Sequence, residues 1–445
     1  MNEQANVAPV LMISAIASGQ GKTTVTAAIA RYFRQQGKRV RVFKTGADFI
    51  DPMMLQQACG SPVFSLDLWL LGLPACRALL LSAARESDLV LIEGVMGLYD
   101  GTPSSADLAN AFGVPVLAVI DASAMAQTVG AVALGLRDFG PVNLAGVVAN
   151  RVASDGHLAM IENALRDIPV LASLRRQDQA LPERHLGLVL PEEVNDIEVI
   201  LDRMAASLSI AMNSWDQVPR MQVANDGEPI EPVPPLLRGK RIAIARDAAF
   251  AFLYPANLAA LEQMGAELVF FSPLANQAIP DAVDALYLPG GYPELHAETL
   301  SQATLWMRSL RYFHQAQRPI YAECGGMMSL AEELNDQSGQ TWPMAGVLSG
   351  RIHMQQGLAA LGMQSWISDA GELRGHTFHY STFATNLAAV THTVKQKTQD
   401  QGEAIYRIGS LQATYFHAYF PSNYLATAHL FLGENNNNDA TEISS

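Results

Sequence analysis

The chain of 445 residues carries only three cysteines, Cys59, Cys76 and Cys324, and no Cys-x-x-Cys pair. That excludes a disulfide framework and makes a reducing, cytoplasmic setting the expected one. No apolar run is long enough to span a bilayer. No basic region precedes Leu11, so residues 11–17 are read as a strand and not as a secretory leader. Positive charge is also scarce: 29 Lys and Arg stand against 43 Asp and Glu, a net charge of −14. Neither nucleic acid nor an anionic membrane is therefore an expected partner. Charged residues make up 16% of the chain and hydrophobic ones 49%. A chain of this length outgrows one core, so two or three domains are expected.

What is present is organised around residues 11–24. An apolar run ends in Ser18-Gly19-Gln20-Gly21-Lys22-Thr23-Thr24, and a helix-compatible stretch, residues 25–30, follows at once. In a strand, glycine-rich turn and helix, successive backbone N–H groups converge beside the positive end of the helix dipole, so phosphate binds there. Lys22 would reach the β- and γ-phosphates and the Thr23 hydroxyl would hold Mg²⁺. ATP and Mg²⁺ are the expected cofactors.

The first half alternates β-branched runs with helical patterns, which indicates a parallel sheet covered by helices. The runs at 39–43, 89–92, 114–120 and 144–149 end respectively at Lys44-Thr45-Gly46-Ala47-Asp48, Glu93-Gly94, Asp121 and Asn150-Arg151. Ligands of open α/β sheets sit beyond the carboxyl ends of the strands. Asp48 and Glu93 are thus candidates to hold Mg²⁺ beside Thr23, and Lys44 to neutralise a transferring phosphoryl group. Asn150 and Arg151 join the nucleotide-binding set of Ser18, Gly19, Gly21, Lys22, Thr23 and Thr24. Asp100 faces substrate or caps the helix near Ser105, a task open to Asp107 as well.

Residues 213–239 are rich in proline and polar side chains and read as a linker between domains at 1–212 and 240–433, with a low-complexity tail at 434–445. The second domain is again α/β. Its run at 319–323 leads through Cys324-Gly325-Gly326 into residues 327–334, which have a helical pattern. A thiol on such a strand-to-helix turn is expected to be exposed, with a pKa lowered by the helix N-terminus. His417, after the strand-like run near the end of the domain, is the candidate base, and the Gly291 and Gly325 N–H groups are candidates for an oxyanion hole.

Six stretches together resemble the cobyrinate a,c-diamide synthases. They are FKTGADFIDP from Phe43, EGVMGLYDG from Glu93, YLPGGYPE from Tyr287, YAECGG from Tyr321, GHTFHYS from Gly375 and YFHAYFPSN from Tyr415. The resemblance implies two doubly wound α/β domains, a dethiobiotin-synthetase-like P-loop NTPase followed by a flavodoxin-like class I glutamine amidotransferase. It implies that Cys324 and His417 release ammonia from glutamine and that the ATP domain phosphorylates acetate carboxylates of a corrin macrocycle. Ammonia would then displace phosphate to form the amide. Asp48, Glu93 and Asp100 would lie on the ATP and carboxylate side. Arg374, His376, His379 and Tyr380 are candidates for contacts with the macrocycle, and a homodimer is a candidate assembly.

The chain departs from the family pattern at Ala15-Ile16, Ala47, Phe49-Ile50 and Thr377. Tyr419 stands where ordinary class I amidotransferases have a glutamate, two residues after the histidine. A Cys–His pair with a modest glutaminase rate is therefore expected. Rival readings are cobyric acid synthase, which has a PFKxQNM-like stretch in place of the one at Phe43, and the same chemistry on hydrogenobyrinate or on a nickel- or iron-bearing reduced tetrapyrrole. From other classes come a corrinoid-binding pseudo-enzyme and a nucleotide-switch ATPase, whose second lysine would stand where this chain has Ala17.

Overall fold

A computed structural model describes residues 7–176, 183–184, 187–221 and 232–433. The expected tail at 434–445 and the middle of the expected linker lie outside the described residues. The chain divides into two compact units, Met1–Ile230 and Glu231–Ser445.

The first unit is an eight-stranded sheet. Its strands include β1 (Val10–Ala15), β2 (Val40–Thr45), β3 (Phe64–Leu66), β4 (Leu89–Glu93), β5 (Val116–Asp121), β6 (Leu144–Val152) and β7 (Val170–Arg175). They lie in the order β7-β6-β5-β1-β4-β2-β3, all parallel, with Leu208–Ile210 antiparallel at the β7 edge. Every residue of β1 and β4 is buried, which is why both read as unbroken apolar runs: a central parallel strand is covered on both faces. Helix α1 (Lys22–Gln35) starts directly from the glycine-rich turn, and α2 (Ile50–Cys59) follows β2. Residues 213–221, which the sequence assigns to the linker, pack on this unit. Trp215 is buried against Phe33, ring centroids 5.0 Å apart, and the Met221 N–H donates to the Ala8 carbonyl. One buried tryptophan outweighs the polar composition around it.

The second unit has a ten-stranded mixed sheet. Glu267–Phe271, Arg241–Ala245, Ala285–Leu288, Ile320–Glu323 and Leu411–Thr414 run parallel in that order. Antiparallel strands continue the sheet through Gln401–Ile408, Thr391–Lys395, Ala360–Ser368 and Gly371–His379 to His417–Ala418. The α/β class expected from sequence holds for both units.

One local expectation fails. Residues 327–334 do not form a helix: Gly325–Met328 makes a single short turn, and Ala331–Asn335 is a strand parallel to Leu348–Met354. The stretch has good helix formers, but Leu330, Ala331 and Leu334 are each fully buried beneath their neighbours, and tertiary pairing overrides propensity.

Candidate functional site

In the first unit the turn after β1 closes around Gly21, whose left-handed backbone (φ 84°) caps α1. A Cβ there would come within 2.5 Å of Asn150 Nδ2, so a side chain would displace Asn150, which donates to the Gln20 carbonyl at 2.9 Å. Lys22 folds back, its Nζ donating to the carbonyls of Met96 (2.6 Å) and Ala17 (3.2 Å). Burial holds its pKa below the usual lysine value, helped by nearby Lys44. The Thr23 hydroxyl donates to Glu93 Oε1 at 2.9 Å and meets Asp51 Oδ2 at 3.4 Å.

Lys44, at the end of β2, is 3% exposed and sits among carboxylates: Glu93 at 2.6 Å, Asp51 at 2.7 Å and Asp48 at 3.7 Å. Burial disfavours its charge, but these three anions outweigh that and raise its pKa. Lys44 in turn overrides burial to lower the pKa of Asp51, whereas burial and Asp51 raise that of Asp48. Asp48 also caps the start of α2, accepting from the Ile50 N–H at 3.0 Å. The carboxylate that meets Thr23 alongside Glu93 is Asp51, which the sequence reading passed over although it follows the same strand end. Asp100 accepts from the Gly97 N–H at 3.0 Å, while Ser104 and Asp107 form the capping box of helix Ser105–Phe112. Arg151 pairs with Asp121 across the ends of β5 and β6.

These donors suit a hard cation. Buried Glu93 Oε2 has no hydrogen-bond partner among the described residues. Thr23, Asp51 and Glu93 leave other positions to phosphate oxygens and water, as Mg²⁺ prefers. Among the described residues no three His, Cys, Asp or Glu side chains form a ready metal cage. No helix among them is long and apolar enough to cross a membrane.

In the second unit Cys324 occupies a strained elbow, φ 43° and ψ −107°, between strand Ile320–Glu323 and the short turn Gly325–Met328. Its N–H donates to the Thr414 carbonyl at 2.8 Å. Gly291 N would lie 2.8 Å from a Cβ built on Gly325, so the two oxyanion candidates are brought together. The sequence expectation of an exposed, acidified thiol is corrected: Cys324 is 4% exposed, and burial, with Glu294 nearby, raises its pKa above the usual thiol value. A helical segment of one turn adds little dipole to oppose this.

His417 is 1% exposed. Its ring stacks on His376, centroids 5.0 Å and planes 17° apart. A Cβ on Gly290 would approach its Cε1 to 2.4 Å, so only glycine leaves room for it. Burial lowers the His417 pKa to about 3, with His379 acting in the same direction and Glu403 against it. His376 and His379, which sequence placed among macrocycle contacts, are buried around this imidazole. His379 stacks on Tyr415 at 3.9 Å and pairs with Glu403 at 3.1 Å. Thr377, at the departure from the family motif, donates to the same carboxylate at 2.9 Å. Sequence reasoning also missed Glu323, directly before Cys324, whose Oε2 lies 3.8 Å from His417 Nδ1.

Comparison with known proteins agrees in both halves. Residues 11–189 match the CobQ/CobB/MinD/ParA nucleotide binding domain, and residues 241–424 the CobB/CobQ-like glutamine amidotransferase domain. The chain is 56% identical over 435 residues to the cobyrinate a,c-diamide synthase of Herminiimonas arsenicoxydans, covering 98% of this chain and 99% of that protein. It is 52% identical to the hydrogenobyrinate a,c-diamide synthase of Stutzerimonas stutzeri, covering 95% and 98% respectively, and 49% identical to the protein of the same name from Pseudomonas aeruginosa, covering 95% and 97%. With a nucleotide loop at one set of strand ends and a thiol elbow at another, the chain belongs to the cobyrinate and hydrogenobyrinate a,c-diamide synthases, a family of ATP-dependent, glutamine-hydrolysing amide ligases.

Proposed function

We propose that the chain converts the a- and c-acetate side chains of cobyrinate or hydrogenobyrinate into amides, with nitrogen from glutamine and activation by ATP. The observation that carries this reading is that one polypeptide holds both a lysine-lined phosphate turn and, in its second unit, a strained thiol elbow and a buried imidazole. A carboxylate does not react with ammonia at neutral pH until one oxygen becomes a good leaving group. An acyl phosphate supplies that.

Cys324 Sγ attacks the glutamine amide carbon as its proton passes to His417, and the Gly291 and Gly325 N–H groups stabilise the oxyanion. His417 returns the proton to the departing ammonia, and water then cleaves the thioester to glutamate. In the first unit Lys22 and Lys44 exchange their present partners for phosphate oxygens, so that phosphoryl transfer is promoted by position and charge. Thr23 and Glu93, with Asp51 and, through water, Asp48, would hold Mg²⁺, which neutralises phosphate charge. Asn150 and Arg151 lie on the nucleotide side and Asp100 on the substrate side. We place the reaction in the cytoplasm, with a homodimer as the assembly for light scattering to test.

Incubation with Mg²⁺, ATP, glutamine and each macrocycle in turn, followed by mass spectrometry, tests the assignment. Two successive carboxyl-to-amide conversions, dependent on ATP, are expected. Amidation of neither macrocycle would overturn it, and activity on a nickel or iron tetrapyrrole alone would move the substrate assignment there.

A further inference from the structure

Two contacts tie Glu323 to the strand that carries the base, and a third ties it to strand Ala285–Leu288. Its Oε1 accepts the Ala418 N–H at 2.9 Å, its Oε2 accepts the Tyr287 hydroxyl at 2.8 Å, and Oε2 lies 3.8 Å from His417 Nδ1. The side chain is 1% exposed. We propose that Glu323, the residue immediately before the nucleophile, is the positioning residue that selects the working tautomer of His417. It does so in place of a carboxylate two residues after the histidine. The inference rests on the assignment of Cys324 and His417 as nucleophile and base.

Tyr419, at that later position, carries no carboxylate and packs its ring on Tyr254, centroids 5.3 Å apart. Glu403, the other carboxylate near the base, already engages His379 and Thr377. The ring of His376 stacks on His417, Phe252 lies with its ring centroid 6.3 Å away, and the imidazole of His379 acts on it electrostatically. A carboxylate oxygen has a second lone pair, so Oε2 can accept Nδ1–H while it keeps Tyr287. The 3.8 Å separation is longer than a hydrogen bond, and such contacts tighten when the base takes up its proton. With Nδ1–H turned to Glu323, Nε2 carries the lone pair that takes the thiol proton. In the opposite tautomer it is not. Burial raises the Glu323 pKa to about 8, against the pull of the Ala418 N–H and of the Tyr287 and Tyr321 hydroxyls. The carboxylate form therefore grows as pH rises through that value, and glutaminase activity should rise with it.

The test uses the full chain with the substitution Glu323→Gln, which keeps the shape but presents an amide NH₂ to Nδ1. The glutaminase kcat is expected to fall about 10²-fold, with KM for glutamine changed by no more than about twofold. The rise near pH 8 should disappear, and ammonia-dependent synthesis should persist. Glu323→Asp, which retains the carboxylate, should restore part of both rate and rise. A Glu323→Gln protein with unaltered kcat, or one that is slower but keeps the rise, would overturn the proposal. If that variant does not fold, Tyr287→Phe decides. Loss of a donor to Oε2 should move the rise to higher pH, and an unmoved profile counts against the proposal. Glutaminase activity surviving Cys324→Ala would instead remove the nucleophile assignment beneath it.

Discussion

The two units place reactive side chains at the same ends of similar sheets yet prepare them in opposite ways. In the first, charge is held mainly by pairing: Lys44 stands beside Glu93 and Asp51, and Lys22 on two carbonyls, although burial pushes the Asp48 carboxyl up. In the second, charge is suppressed by burial: the Cys324 thiol is pushed up, while His376 and His417 are pushed down. The difference follows the chemistry. Phosphoryl transfer needs permanent cations beside permanent anions, whereas thiol attack needs a proton that moves only once substrate is seated.

The sharpest way to separate the units is Cys324→Ala. Glutaminase activity should fall by about 10⁴-fold or more, while ammonia-dependent amidation continues at its former rate. Equal loss of both activities would mean the units do not work independently. Lys44→Met should do the converse. Amidation from either nitrogen source should drop about 10³-fold, with glutamine hydrolysis retained. Leaving Asp51 and Glu93 without their buried cation should also cost the fold about 3–5 kcal/mol, measurable by denaturant titration.

Gly290→Ala is the next smaller effect. Its Cβ would press on His417 Cε1 at 2.4 Å, so the base must shift, and a fall of about 10²-fold in glutaminase kcat is expected. The mildest test is acidity. A histidine whose folded pKa lies below its unfolded value binds fewer protons when folded. Stability is thus intact above pH 6.5 and lost as pH falls from there toward about 3 for His417, with His376 adding in the same direction. Each imidazole contributes at most about 1.4 kcal/mol per pH unit. Asp51, whose pKa is lowered, contributes stability that persists until pH falls below about 3.8. Hydrogen exchange at pH 5 should therefore report loosening around residues 374–419 before residues 40–51. Simultaneous loosening would mean the contrast between paired and suppressed charge does not govern acid stability.

The sequence made the first unit more legible than the second for a physical reason. Lys22, Thr23, Lys44 and Glu93 lie on contiguous strand-to-loop segments, and strand ends of a parallel sheet converge whatever the side chains do. Asp51 escaped because it lies beyond the strand-end segment, and only the fold of the α2 start brings it to Thr23 and Lys44. In the second unit the motif located the elbow at Cys324, but the chemistry around it depends on contacts far apart in the chain. Glu323 meets a strand 94 residues onward, and burial of the thiol is a sum over many neighbours. The helical look of residues 327–334 misled for the same reason: Ala331–Asn335 is held by a partner strand that local propensity cannot report.

The covered state of Cys324 has a bearing on life in the presence of oxygen. Hydrogen peroxide attacks the anion of sulfur, and it must first reach the atom. A sulfhydryl that keeps its hydrogen and lies 4% open to solvent is a poor target for oxidants between turnovers, so the idle protein can wait for glutamine without being slowly poisoned.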